Sequence, residues 1–150
     1  MEPKKIVLDT SAFISGLISK KKSIIFSLIL EGKVILVISD QIFLEYWKAV
    51  HYHKILSRID DISDLYRFLN YIYVIAEKVE PKNKLNLCRD SEDNKFLEAA
   101  YEAKASYLIT LDKDLLDLRN NNKLFKILDH EIKILKPKEF LEEYLRNKSI

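Results

Sequence analysis

Glycine is nearly missing from these 150 residues: only Gly16 and Gly32 occur. Neither belongs to a G-x-G-x-x-G or G-x-x-x-x-G-K-[ST] arrangement, so no glycine loop is available to cradle a nucleotide's phosphates. Cysteine is scarcer still. Cys88 stands alone, which excludes an internal disulfide, and Met1 to Lys5 lead straight into an apolar, strand-like run rather than a signal peptide, pointing to the cytoplasm. The longest apolar stretches, Ile24 to Leu30 (broken by Ser27) and Val34 to Ile38, fall far short of the roughly 18 residues of a membrane span. Charge of neither sign dominates. With 25 basic and 23 acidic residues the net charge is +2, so any contact with nucleic acid must rest on local patches. No G-x-S-x-G marks a serine hydrolase. His51-x-His53 lacks the H-E-x-x-H spacing of a metalloprotease helix, and His130 is isolated.

What is present suits an ordinary globular domain. The chain is 48% hydrophobic and 32% charged, enough to build a core and stay soluble, and its length fits one domain. Ile6-Val7-Leu8 and Val34 to Ile38 read as buried strands. Ala12 to Ile18 and Ser23 to Leu30 carry helical apolar spacing on either side of Lys20-Lys21-Lys22. Ser39 or Asp40 can cap a helix running through Trp47, and Asp60 to Ile75 forms another with Leu65, Phe68, Leu69 and Ile72 inward. Val79 to Asn86 reads as a loop, Glu92 to Lys104 as a helix, and Tyr107 to Ile109 as a strand. After the loop at Asn120 to Asn122, late strands at Phe125 to Leu128 and Ile132 to Leu135 precede a last helix opened by Pro137. This alternation predicts an α/β sandwich around a mostly parallel sheet.

In such sheets ligands bind beyond the carboxyl ends of the strands, and acids collect there. The first strand delivers Asp9-Thr10-Ser11, the strand at Tyr107 delivers Thr110-Leu111-Asp112-Lys113-Asp114, and Asp90-Ser91-Glu92-Asp93-Asn94 precedes a helix. Taken singly, each is better read as helix capping, and Asp90 with Asp93 has capping-box spacing. Asp93 is more informative: it lies on the stripe of Phe96, Leu97 and Ala100, whereas Glu92, Lys95 and Glu102 fall on the face toward water. Periodicity puts Glu45 about 130° from the centre of its helix's apolar arc, where a surface residue is expected. Clustered carboxylates repel unless a cation sits among them. An all-oxygen set suits Mg²⁺ or Mn²⁺, and such a site can activate water and neutralise charge on a phosphate.

Asp9-Thr10-Ser11 after a first strand, Glu45 on an early helix, Asp93 opening a helix and Thr110-x-Asp112-x-Asp114 after a late strand together resemble the PIN-domain family. Cys88 to Ala100 followed by Leu108 to Leu116 is especially similar to the branch containing toxin components of toxin–antitoxin systems. The resemblance implies one α/β/α nuclease domain over residues 1–150 and a metal-dependent ribonuclease leaving 5′-phosphate and 3′-hydroxyl ends. It also implies a catalytic and metal-binding quartet of Asp9, Glu45, Asp93 and Asp112, with Asp114 as a further ligand. Asp90, Ser11, Thr110 and Asn94 would support it. It implies a small antitoxin inserting an arginine among the acids, and a homodimer.

The chain departs from the pattern at Ser91-Glu92, Leu111 and Leu115, and Leu118 to His130 is long for the segment before the last strand. Lys20, Lys21, Lys22, Arg89 and Lys113 are the cations expected to guide RNA. Tyr46 and Trp47 fit core packing better than base stacking. Three rivals stand beside this reading. A haloacid-dehalogenase-like phosphatase needs D-x-D where residue 11 is Ser, and a receiver domain needs an acidic pair near the first strand's end. The third is a non-catalytic module whose acids hold a structural ion or a partner's arginines.

Overall fold

The computed structural model describes residues 2–19 and 23–148, the side chain of Lys148 excepted, so Lys20, Lys21 and Lys22 lie outside the described residues. Six strands form one sheet: β1 (Lys4–Leu8), β2 (Val34–Ile38), β3 (Glu77–Lys78), β4 (Tyr107–Ile109), β5 (Leu124–Ile127) and β6 (His130–Leu135). Their order is β3-β2-β1-β4-β6-β5, parallel throughout except for the β5–β6 pair. The helices are α1 (Thr10–Ile18), α2 (Ile24–Leu30), α3 (Asp40–Val50), α4 (His53–Leu56), α5 (Ile62–Ile75), α6 (Asn94–Ala103), α7 (Lys113–Leu116) and α8 (Pro137–Lys148).

Successive strand residues point to opposite faces. Ile6, Val7 and Leu8 are all at most 1% exposed, so both faces of the central strand are covered. That is the three-layer α/β/α arrangement the alternating pattern predicts. The chain builds β1, β2 and β3 outward on one side of β1, then returns to place β4 on the other side. The strand order therefore reverses between β1 and β4, where an open α/β sheet leaves a crevice. Leu8 pairs with Ile109 there, and the Asp9 amide donates to the Ile109 carbonyl at 3.1 Å. The segments carrying Asp9 and Thr110 thus leave the sheet as neighbours.

Tyr46 fixes α3 against this edge. Its buried ring stacks on Phe13 at 3.9 Å, and its hydroxyl donates to the Leu8 carbonyl at 2.5 Å. The spacing that assigns Tyr46 to the core is correct, while Trp47 remains 38% exposed, stacked on Tyr66. The short helices α4 and α7 and two further elements differ from the pattern. β3, only two residues long, has no apolar run to announce it. The helix expected from Glu92 begins at Asn94, after a 3-10 turn at Ser91–Asp93 in which the Asp90 carboxylate accepts the Glu92 amide. Leu118 to His130 builds the approach to a hairpin, β5 pairing with β6 from Leu124–Lys133 to Ile127–His130.

Candidate functional site

Asp9 is 2% exposed at the end of β1. It caps α1 by accepting the Ala12 amide at 2.9 Å, and its carboxylate also meets the Ser11 hydroxyl at 2.7 Å and the Thr110 hydroxyl at 2.5 Å. The capping reading therefore holds for Asp9, whose carboxylate at the same time faces Ser11 and Thr110. Burial raises its pKa above 3.8, opposed by the bonds from Thr110, Ala12 and Ser11 and reinforced by the charge of Asp112.

One hydroxyl links two of the acids: Thr110 Oγ1 donates to Asp9 and accepts the Asp112 amide at 2.8 Å. Asp112 in turn shares a hydrogen bond with Asp93, whose carboxyl is pushed up to about 8. Burial contributes most to that rise, followed by the hydrogen bond to Asp112 and the charges of Asp112, Asp90 and Asp9. Asp93 sits at the N-terminus of α6 without making a side-chain cap there. Asp90 takes the capping role in this segment. Asp90, Asp93 and Asp114 can also bring one carboxylate oxygen each within 4.8 Å of one another. Asp93 therefore joins an inner pair with Asp112, beside Asp9, to an outer group with Asp90 and Asp114.

Glu45 is held differently. The Thr10 hydroxyl donates to its carboxylate, and Lys95 Nζ lies 2.5 Å from Glu45 and 3.2 Å from Glu92. The residue following Asp9 and the one preceding Phe96 on α6 thus hold Glu45, its side chain 31% exposed. Lys95 corrects an expectation: instead of facing water its side chain is 13% exposed. Periodicity of α6 alone ignores α3, which packs alongside and supplies the counter-charge. No signal within either helix identifies this pair.

Two other expected contributors are turned elsewhere. The buried Asn94 accepts the Leu87 and Cys88 amides at 3.1 and 2.9 Å, so its side-chain oxygen fastens the preceding loop. Arg89 gives its guanidinium to Asp114 at 2.7 Å and Asp117 at 2.8 Å, because α7 and its C-cap present these acids to it, and is not a free cation for RNA. Lys113 is exposed. Cys88 is buried, and burial, with the charges of Asp93, Asp114 and Asp112, pushes its thiol up, away from a nucleophilic thiolate.

Oxygen donors make up the acidic centre, a set matched to hard divalent cations, and burial together with the neighbouring Asp112 makes the charged form of Asp93 costly there. The description of the PIN domain family matches residues 5–114, a span that holds Asp9, Glu45, Asp90, Asp93, Asp112 and Asp114. The uncharacterized protein MJ1680 of Methanocaldococcus jannaschii is 37% identical over 142 residues, which cover 93% of this chain and 91% of that protein. The crystal structure of PAE2754 from Pyrobaculum aerophilum superposes with a TM-score of 0.62 at 16% identity, covering 95% of this chain and 90% of that one. At that identity the likeness is one of fold. No described helix is long and apolar enough to cross a membrane.

Proposed function

The chain belongs to the PIN-domain family, whose fold is of nuclease type and whose members typically bind divalent metals, and from that premise we propose that it is a metal-dependent endoribonuclease. The observation that carries this reading is the convergence of Asp9, Asp93 and Asp112 from three separate segments, with Asp93 and Asp112 close enough to share a hydrogen bond. Such crowding destabilises a protein unless it serves a cation.

In this reading Asp9, Asp93 and Asp112 hold Mg²⁺ or Mn²⁺, Glu45 completes the quartet, and Asp114 and Asp90 form its outer side. Bound there, the cation supplies Lewis acidity toward a phosphodiester and lowers the pKa of water. The chain's own residues do the rest. Thr110 and Ser11 fix the Asp9 oxygens, Thr110 sets the Asp112 backbone, and Lys95 with Thr10 holds Glu45. We further propose that residues 1–150 form one nuclease domain acting in the cytoplasm as the toxin of a toxin–antitoxin pair, as a homodimer. A small antitoxin would present an arginine to acids that already accept Arg89.

The test is cleavage of a panel of labelled structured and single-stranded RNAs with Mg²⁺, Mn²⁺ or EDTA, comparing wild type with Asp9→Asn and Asp112→Asn. Metal-dependent cleavage lost in both variants is expected. Cleavage surviving both substitutions contradicts the reading, and no cleavage of any RNA with metal demonstrably bound replaces it with a non-catalytic module.

A further inference from the structure

The long segment before the last strand builds one wall of a groove beside the acidic centre. The Thr110 amide donates to the Leu135 carbonyl at 2.9 Å, so β4 and β6 end side by side. Leu111 to Lys113 follow one strand and Lys136 the other. Between them and the turn at Asn120 opens a groove of about 700 Å³ whose lining includes Lys113, Arg119, Lys123 and Lys136. Its rim therefore begins within one residue of Asp112.

Its charge is lopsided. Four cations line it against one acid, Asp117, and that acid is held by Arg89 from outside the groove. Arg119 and Lys123 share Glu139 at 2.7 and 3.1 Å. Lys113 and Lys136 are exposed and have no ion pair among the described residues. The wall is also built to hold its shape. Arg119 donates to the Ile134 carbonyl at 2.9 Å, and the Asn120 side chain accepts the Asn122 and Leu124 amides at 2.8 and 3.0 Å. No aromatic residue lines the groove, so it offers no ring on which a base would stack; Asn120 and Asn121 are its uncharged polar groups, with the Asn120 oxygen engaged by the Asn122 and Leu124 amides, and its cations are the main partners for a backbone. By contrast, the groove beside Glu45 matches its lysines with Glu45, Glu92 and Glu98.

We propose that this groove is a phosphate track, in which an RNA strand passing the acidic centre lays backbone phosphates against Lys113 and Lys136 without reading its bases. The proposal rests on the ribonuclease reading and adds the path of the strand on one side of the site.

The experiment measures binding of a fluorescein-labelled single-stranded RNA by anisotropy in EDTA, where no metal-dependent cleavage occurs, over a series of salt concentrations. Each phosphate contact on a single strand contributes about 0.7 to the slope of log K against log salt, so Lys113→Ala with Lys136→Ala should lower the slope by about 1.4. Lys4→Ala with Lys82→Ala removes the same charge elsewhere: Lys4 starts β1 at the end away from Asp9, and the Lys82 amide is bound by Glu102 near the far end of α6. That variant should leave the slope unchanged. An unaltered slope in the first variant, an equal fall in the second, or no measurable binding by wild type overturns the track. Altered slope with no cleavage of any RNA by wild type sinks the ribonuclease reading and leaves the track. Metal-dependent cleavage with an unaltered slope does the reverse.

Discussion

Replacing Asp93 with Asn should stabilise the protein in EDTA while abolishing its cleavage of RNA. The Asp93 carboxyl is carried from 3.8 to about 8, first by burial and then by the hydrogen bond to Asp112 and the charges of Asp112, Asp90 and Asp9. With its pKa raised in the fold, the native chain keeps a proton that the unfolded chain releases. Its destabilising effect is thus absent below about pH 4, grows from there to about pH 8, and then levels off. Converting the whole rise at about 1.36 kcal/mol per pK unit overstates it, because water screens a partly exposed carboxyl. About 1–2 kcal/mol is a reasonable remainder, equivalent to a gain of about 3–6 °C in Tm for a chain of this size. The amide of Asn can still bond Asp112 and has no proton to lose. Thermal unfolding at several pH values in EDTA should therefore show Asp93→Asn ahead of wild type at pH 8, with the gap closing toward pH 4. Metal should reverse the order, since Mn²⁺ at 100 times its Kd stabilises wild type by about 2.7 kcal/mol and the variant by less. Equal stabilities at pH 8, or a gap that widens toward acid, refute the reasoning.

Thr110→Ala removes the hydroxyl that joins Asp9 to the Asp112 backbone and should lower cleavage about 10–100-fold, with Thr110→Ser nearly restoring it in steady-state kinetics. Tyr46→Phe takes the donor from the Leu8 carbonyl and should cost about 1–2 kcal/mol in urea unfolding. Burial alone would raise the Glu139 pKa, but bonds from Arg119, the Lys136 amide and Lys123 together bring it down to about 2. Glu139 therefore contributes stability above about pH 4.5 that is lost as pH falls toward 2; Glu139→Gln should cost about 1 kcal/mol at neutral pH, after screening, and flatten the acid limb of the pH–stability curve.

The sheet was legible wherever burial on both faces imposes a continuous apolar run, as at Ile6 to Leu8, Val34 to Ile38 and Tyr107 to Ile109. β3 escaped because two residues on an edge need no such run. Acids at strand ends were legible too, since strand topology alone brings Asp9 and Thr110 together. Capping-box spacing treats Asp90 and Asp93 alike, but the apolar stripe of α6 marks Asp93, and only Asp90 caps the turn while Asp93 lies beside Asp112. The pairings of Lys95 with Glu45 and Arg89 with Asp114 and Asp117 join distant segments. Periodicity within one helix carries no information about which side chain a neighbouring element presents. Asn94 shows the same limit, because its partners are the backbone of a loop with no pattern.

The most direct test of the acidic centre is the anomalous scattering of a crystal of this protein soaked in Mn²⁺. A peak within coordination distance of Asp93 and Asp112, with Asp9 among its neighbours and lost in a crystal of Asp93→Asn, is expected. A peak that avoids Asp93 and Asp112, or none at a Mn²⁺ concentration that supports RNA cleavage, would contradict the assignment of these carboxylates as the metal site.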